Sequence, residues 1–413
     1  MKIGNRIKYI RTRSKLSLSD LGRGIVSATH LSNIERGRFN PSDEILASLS
    51  ERLNVRLGYL TNYNKFDSEI QDLLVNLLDS LILGSPDAKL TVDKLSQKPI
   101  NNILQETIFL MLISCYKYKC KLNPIEEENQ LSFYEIDKIS SLDPLLIKSF
   151  YYYKGQKHFY KGNYNNSLRY FNELIKLTYS SKEYSFLLYN LALLEYYSKF
   201  YIRAAKSAEK ALSYSLSAHN WEVSFDIYNL LMVIHWEDKD LEIAKEYGSK
   251  ALEIGEIKNY SECHRVYHNL GSIHLEEGSL DLAVDFLNKS ISLKNKMSIY
   301  NFSSKFKLLK CFFLKGADER FKSLHYDLLN NTKTKKEELI LEYFNVVFLK
   351  RGNTGDIVKR IKEIIPLLKK HNLKEEYISC LKELAVHYSA QNSYKHAFSC
   401  YEKLSLALEA DVI

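Results

Sequence analysis

One helical-hairpin unit recurs along most of this chain, and that recurrence limits the possible folds more than any other feature. Small or apolar residues stand in equivalent places at Ser167, Ala204, Ala244, Ala283, Phe321, Ile357 and Ala397, so that successive numbers differ by 37, 40, 39, 38, 36 and 40. The clearest copy runs from Tyr267 to Leu287, and a second joins Tyr189–Ala192 to Tyr201–Leu212. Others centre on Lys161–Leu168, Leu241–Tyr247 and Tyr394–Tyr401, with weaker copies around Gly316–Leu324 and Gly352–Ile364. Each copy carries two segments of helical period joined by a short polar turn. A single helical hairpin cannot bury its apolar face, so neighbouring copies must stack. The expectation is an all-α chain dominated by an α-solenoid from Leu145 onward.

Composition supports this, with 45% hydrophobic and 12% aromatic residues but only 15 Gly and 6 Pro. Charge separates the chain in two. Residues 1–65 hold twelve Lys and Arg against five acids, which is +7 of the overall +8, so a polyanion is expected to meet this segment and not the nearly neutral remainder. The six cysteines form no CxxC pair and read as reduced thiols. The N-terminus opens on Lys2, Arg6 and Lys8 without an apolar leader, and the longest apolar run, Ile108–Ile113, is too short for a bilayer. A cytoplasmic location without membrane contact is expected.

The basic segment reads as a bundle of four or five short helices. Ile3, Ile7 and Ile10 form one stripe, Ser17 with Asp20 opens a second helix, and Ser27 caps a third over Ala28–Glu35. Asn40 before Pro41 is expected to open a fourth. Two short helices across a tight turn form the unit that lays its second helix in the major groove. Ser27, Ala28, Thr29 and Asn33 are the candidates for base edges, and Arg36, Arg38 and Asn40 for phosphates of a double-stranded operator. Leu16–Ser42 closely resembles the phage-repressor (XRE) class of helix-turn-helix, most specifically in the Ser-x-Ile-Glu-x-Gly-x-x-x-Pro-Ser ending from Ser32 to Ser42. The resemblance implies that Arg11 pairs with Glu35 to fix the helices. Leu18 stands where that class usually has Gln, which leaves a phosphate contact there to Ser17 or Ser19.

The repeats resemble tetratricopeptide repeats, somewhat longer than usual, and assign residues 145–413 to a right-handed superhelix whose first helices line a concave surface. Residues 66–144 are expected to supply a linker helix and one or two degenerate pairs, with loops near Pro99 and over Asn123–Gln130. Three first helices carry Tyr189-Asn190, Tyr228-Asn229 and His268-Asn269, each before Leu, and the asparagine numbers differ by 39 and 40. An amide offers one acceptor and two donors, enough to hold the main chain of an extended peptide. These six residues are the candidate peptide-binding set; bracing turns or bridging adjacent repeats is the alternative role.

A helix-turn-helix of this class joined to such repeats resembles the RRNPP family of quorum-sensing regulators, in length closest to its NprR-like members. The resemblance implies a homodimer, a short signalling peptide in the groove and DNA binding altered by it. Two other readings stay open: repeats that bind a response regulator, and a peptide-independent repressor of phage or mobile-element type. No glycine-rich phosphate loop, HExxH or nucleophile motif is present, so neither catalysis nor a cofactor is expected. His235, His264, His268 and His274 read as groove or core positions in preference to metal ligands.

Overall fold

In the computed structural model, residues 2–136, 143–178, 180–349 and 354–409 are described, and among them all regular structure is helical. The chain divides into two compact units, Met1–Lys258 and Asn259–Ile413.

The first unit begins with α1 (Ile3–Arg13), α2 (Leu18–Gly22), α3 (Ala28–Glu35), α4 (Asp43–Arg52) and α5 (Leu57–Thr61). Their core buries Ile3, Ile7, Leu21, Leu31, Ile34, Leu46, Leu49 and Leu60, and Ile10 of the expected stripe is partly buried against it. Ser17 and Asp20 form a reciprocal capping box on α2, and Ser27 accepts the His30 N–H to cap α3. The fourth helix departs from expectation: Ser42, not Asn40, accepts the Ile45 N–H. Pro41 favours extended backbone at the residue before it, which leaves Asn40 two residues short of the cap.

Next come α6 (Ser68–Leu83), α7 (Asp87–Gln97), α8 (Ile103–Lys119) and α9 (Ile125–Phe133). The expected loop over Asn123–Gln130 is mostly helix α9, entered at Pro124, whose missing N–H costs nothing at a helix start. Three acidic residues in its first turn, Glu126 to Glu128, make the stretch look solvated in sequence, yet they favour a helix N-terminus.

Helical hairpins follow: α10 (Pro144–Tyr160) with α11 (Tyr164–Lys176), α12 (Ser181–Tyr197) with α13 (Tyr201–Ser217), and α14 (Trp221–Glu237) with α15 (Leu241–Ile257). Their shared core includes Tyr152, Phe171, Leu187, Leu191, Ala204, Ile227 and Leu231. Inside the hairpins the small residues allow the helices to meet closely, since a Cβ on Gly155 would lie 2.7 Å from the Phe171 ring. Ser167 Oγ–H donates to the Gly155 carbonyl at 2.8 Å.

The second unit holds α16 (Cys263–Glu277), α17 (Leu280–Lys296), α18 (Phe302–Leu314), α19 (Asp318–Asn330), α20 (Lys335–Val347), α21 (Thr354–Lys370), α22 (Lys374–Ala390) and α23 (Tyr394–Glu409). They pair in sequence order as four further hairpins. Gly278 ends α16 with φ of 81°, a left-handed cap that only glycine adopts freely. The repeat copies proposed from Ser167 to Ala397 thus all fall in second helices, and Ser167, Ala204, Ala244 and Ala283 are fully buried. Five cysteines are buried, Cys120 is exposed, and all six are free thiols.

Candidate functional site

In the N-terminal bundle, α3 presents its beginning outward. Ser27, Ala28 and Thr29 are exposed, Asn33 is half-buried, and Arg36, Arg38 and Asn40 are placed just beyond the helix, with Arg36 and Asn40 exposed and Arg38 exposed between them. Arg11 holds Glu35 through two parallel bonds, Nε to Oε1 at 2.6 Å and Nη2 to Oε2 at 2.9 Å, and gives its third group to the Leu16 carbonyl at 2.8 Å. The hydrogen bond to Glu35 holds the Arg11 guanidinium above its ordinary range. This fork ties α1 to the end of α3, as the resemblance implied, and fixes the angle at which α3 would enter a groove. Gly4 packs under the Ile34 carbonyl, where a Cβ would stand only 2.0 Å from the oxygen.

The basic charge is less available than the count suggests. Arg11 is spent on Glu35, Arg52 donates to the carbonyls of Leu21 and Arg23, and Arg6 is fully buried. Arg6 donates to Glu106 of α8 from Nε at 3.0 Å and Nη2 at 2.7 Å, and to the carbonyls of Tyr59 and Asn101 at 2.6 Å each. Its guanidinium lies 4.2 Å from the centre of the Tyr59 ring, while Tyr59 and Tyr134 both donate hydroxyls to Glu106. Burial alone would lower the Arg6 pKa; Glu106, with Tyr134 and Tyr59, outweighs it and raises the value. Around this pair Tyr9 meets Phe133 edge-on at 5.5 Å and the Ile103 N–H donates to the Tyr63 carbonyl at 2.8 Å. The bundle is therefore seated on α8 and α9, and α8 in turn packs on α10, the first repeat helix. Sequence reasoning counted Arg6 among the charges facing a polyanion. Its place on the Ile3 and Ile10 stripe, at i+3 and i−4, was the signal that it faces inward.

The candidate peptide-binding residues all lie on first helices, and Asn190, Asn229, Asn269, Tyr189, Tyr228 and His268 are all half-buried. Their register differs from the reading by sequence. The hairpin turns are marked by left-handed residues at Lys199, Lys239 and Gly278. Asn190 and Asn269 stand nine residues before their turns and Asn229 stands ten, so Asn229 matches Tyr189 and His268, whereas Asn190 and Asn269 match Leu230. Packing across each hairpin sets the register, and the shared Asn-Leu letters do not.

Ring contacts agree with this register. Tyr228 and His235 approach Tyr247 at 6.1 and 5.4 Å, and Tyr267 and His274 approach Phe286 at 6.2 and 5.4 Å in the same way. Tyr228 thus turns toward its hairpin partner, lining a cleft of about 430 Å³ with Leu216, Trp221 and Ile254. Asn229 sits on a separate stripe with Asp226, Val233 and Trp236, all half-buried at spacings of three, four and three residues. His235 and His274 are ring-stacking partners inside hairpins. Among the described residues no three His, Cys, Asp or Glu side chains gather as a metal site, and no helix is long and apolar enough to cross a membrane.

Comparison with known proteins agrees with both parts. Residues 7–60 match the helix-turn-helix family, and residues 264–297 match the tetratricopeptide repeat family. No curated protein matches the chain by sequence. Among solved structures, the apo form of the quorum sensor NprR from B. thuringiensis is 16% identical with a TM-score of 0.66, over 83% of this chain and 99% of that one. A Rap protein complexed with competence and sporulation factor is 15% identical with a TM-score of 0.65, over 83% and 99%. NprR in complex with its cognate peptide NprX is 17% identical with a TM-score of 0.56, over 82% and 99%. The chain joins an XRE-type helix-turn-helix to a tetratricopeptide-like helical repeat with the fold of the Rap and NprR structures.

Proposed function

We propose that this protein is a cytoplasmic, DNA-binding transcription regulator whose repeats bind a short signalling peptide that controls the DNA-binding bundle. The observation that carries the reading is the seating of that bundle. The start of α3 is exposed, while Arg6 and Glu106 bolt α1 to a helix packed on the first repeat. A change in the repeats therefore has a stiff route to the placement of α3, so a peptide favouring one state of the repeats favours one placement of the bundle. Similarity to two structures solved with peptides supports the ligand class.

Ser27, Ala28, Thr29 and Asn33 would face base edges, with Arg36, Arg38 and Asn40 on phosphates. In the first unit Asn190 and Asn229, beside Tyr189, would hold a peptide main chain, and in the second unit His268 and Asn269 occupy the matching register. A homodimer belongs to the reading, since two bundles on a two-fold site double the contacts and fix half-site spacing. The exposed Tyr394, Phe398, Tyr401 and Leu408 on one face of α23 support a second copy as the partner.

The test combines selection of bound fragments from random duplex DNA with affinity measurements at rising concentrations of a short-peptide pool. The expected result is a defined two-fold operator whose affinity changes with peptide, and loss of that change in Asn190→Ala and Asn229→Ala with folding intact. Operator affinity indifferent to every peptide would refute peptide control, and failure to select any sequence would refute DNA recognition.

A further inference from the structure

Within the second unit, one half-buried cation lacks a counter-ion. Lys294 Nζ, at the end of α17, donates to Ser304 Oγ at 2.8 Å and pairs with no carboxylate among the described residues. Ser304 is fully buried, and its oxygen also lies 2.9 Å from His268 Nδ1. Ser304 Oγ thus bridges Lys294 Nζ and His268 Nδ1, with Ser290 Oγ a further neighbour at 3.4 Å. One turn earlier on α16, His264 has a buried Nδ1 with no hydrogen-bond partner. Desolvation, then Lys294, Lys307 and His264, push His268 down to about 3. Desolvation, then Lys294 and Arg265, push His264 down against the opposing pull of Glu262. Desolvation also lowers Lys294. Lys307 and Lys310 of α18 add further positive charge, partly offset by Glu276, Glu375 and Glu376. Three nitrogen groups converge where positive charge is desolvated and incompletely satisfied, which is the complement of a compact anion.

We propose that Lys294, His264 and His268 form an oxyanion site that receives a carboxylate of the bound ligand. Its assignment to a peptide rests on the function proposed above; the site itself does not. A carboxylate there would give Lys294 its missing counter-charge and accept the imidazole protons. It would also fix the direction of an extended chain whose main-chain bonds alone read the same at every residue.

The experiment uses the full chain with ¹³C-labelled histidine, assigned by the His268→Gln variant. Sodium sulfate, compared with sodium chloride at equal ionic strength, should raise the His268 titration midpoint by about one unit. Lys294→Met, with Lys294→Gln as a second variant and helicity as the folding check, should abolish the rise. No response to sulfate, or an equal response in both variants, overturns the site. A second arm compares heptapeptide pools lacking Asp and Glu, with free or amidated C-termini, and an amidated pool containing Asp. Preference of about tenfold to a hundredfold for the free acids identifies the terminal carboxylate as the source. The same preference for the Asp pool identifies a side chain. Equal binding of all pools overturns carboxylate recognition while leaving peptide control intact. A sulfate response with no peptide binding sustains the site and removes the peptide reading instead.

Discussion

Removing the charge of Glu106 tests whether the bundle is bolted to the body. Arg6 is 0% exposed and its carboxylate partner lies 2.7 Å away, so Glu106→Gln leaves a buried guanidinium without counter-charge. Stranding one member of a buried ion pair costs about 3–5 kcal/mol. Converted at about 1.4 kcal/mol per decade, α1 amides should exchange their hydrogens faster by roughly two to three and a half powers of ten. Amides of α22, in the other unit, should be unchanged. Arg6→Met strands the carboxylate and should cost a similar amount. The double variant strands no charge, although it leaves the Tyr59 and Asn101 carbonyls without Arg6 and the Tyr59 and Tyr134 hydroxyls with one amide oxygen between them. It should therefore cost less than the two single changes together, by about 2–3 kcal/mol in a double-mutant cycle. Native-state hydrogen exchange read by mass spectrometry measures all three. Strictly additive variants, or a single-variant loss below about 1 kcal/mol, would show that the contact is incidental and that the bundle is held otherwise.

Three further outcomes are expected. Arg36→Ala and Arg38→Ala should each weaken DNA binding at all sequences and reduce the slope of log affinity against log salt by about one, measured by fluorescence anisotropy; an unchanged slope would remove them from the phosphate contacts. Gly271→Ala places a Cβ 2.7 Å from Leu287 Cγ and should cost about 1–3 kcal/mol in urea unfolding, whereas a neutral result would mean that the α16–α17 contact yields easily. His268 has a folded pKa of about 3, below the unfolded range, so stability from this group is complete above pH 6.5. Between pH 6.5 and 3 the unfolded chain binds a proton that the folded chain refuses, and stability falls by up to about 1.4 kcal/mol per pH unit. His268→Gln should flatten thermal stability across that window, and an unchanged acid slope would contradict the burial of the ring.

The helical hairpins were legible because stacking forces a spacing on the residues at each contact. Ser167, Ala204, Ala244 and Ala283 recur where a larger side chain would hold two helices apart, and all four are fully buried. The capping serines Ser17 and Ser27 and the Arg11–Glu35 fork were legible for a similar reason, since each partner lies within a few residues or in a motif of fixed geometry. Cap choice around Pro41 was harder, because Asn40 and Ser42 are both good caps and only backbone direction chooses Ser42. The asparagine register was misread because Asn190-Leu191 and Asn229-Leu230 match as letters, while the turns at Lys199 and Lys239 lie one residue farther apart than the two asparagines do.

Local chemistry along the chain thus determined which segments coil, where they cap and that they must stack in pairs, because period, turn residues and close contacts act over short separations. What only the tertiary structure decided was which charges are spent. Arg6 meets Glu106 across 100 residues of chain, and Lys294 and His268 meet the same Ser304 hydroxyl between neighbouring helices. Whether a cation is paired, stranded or offered to a ligand depends on what folding brings within a few ångströms of it, and that depends on long-range packing, not on sequence neighbourhood.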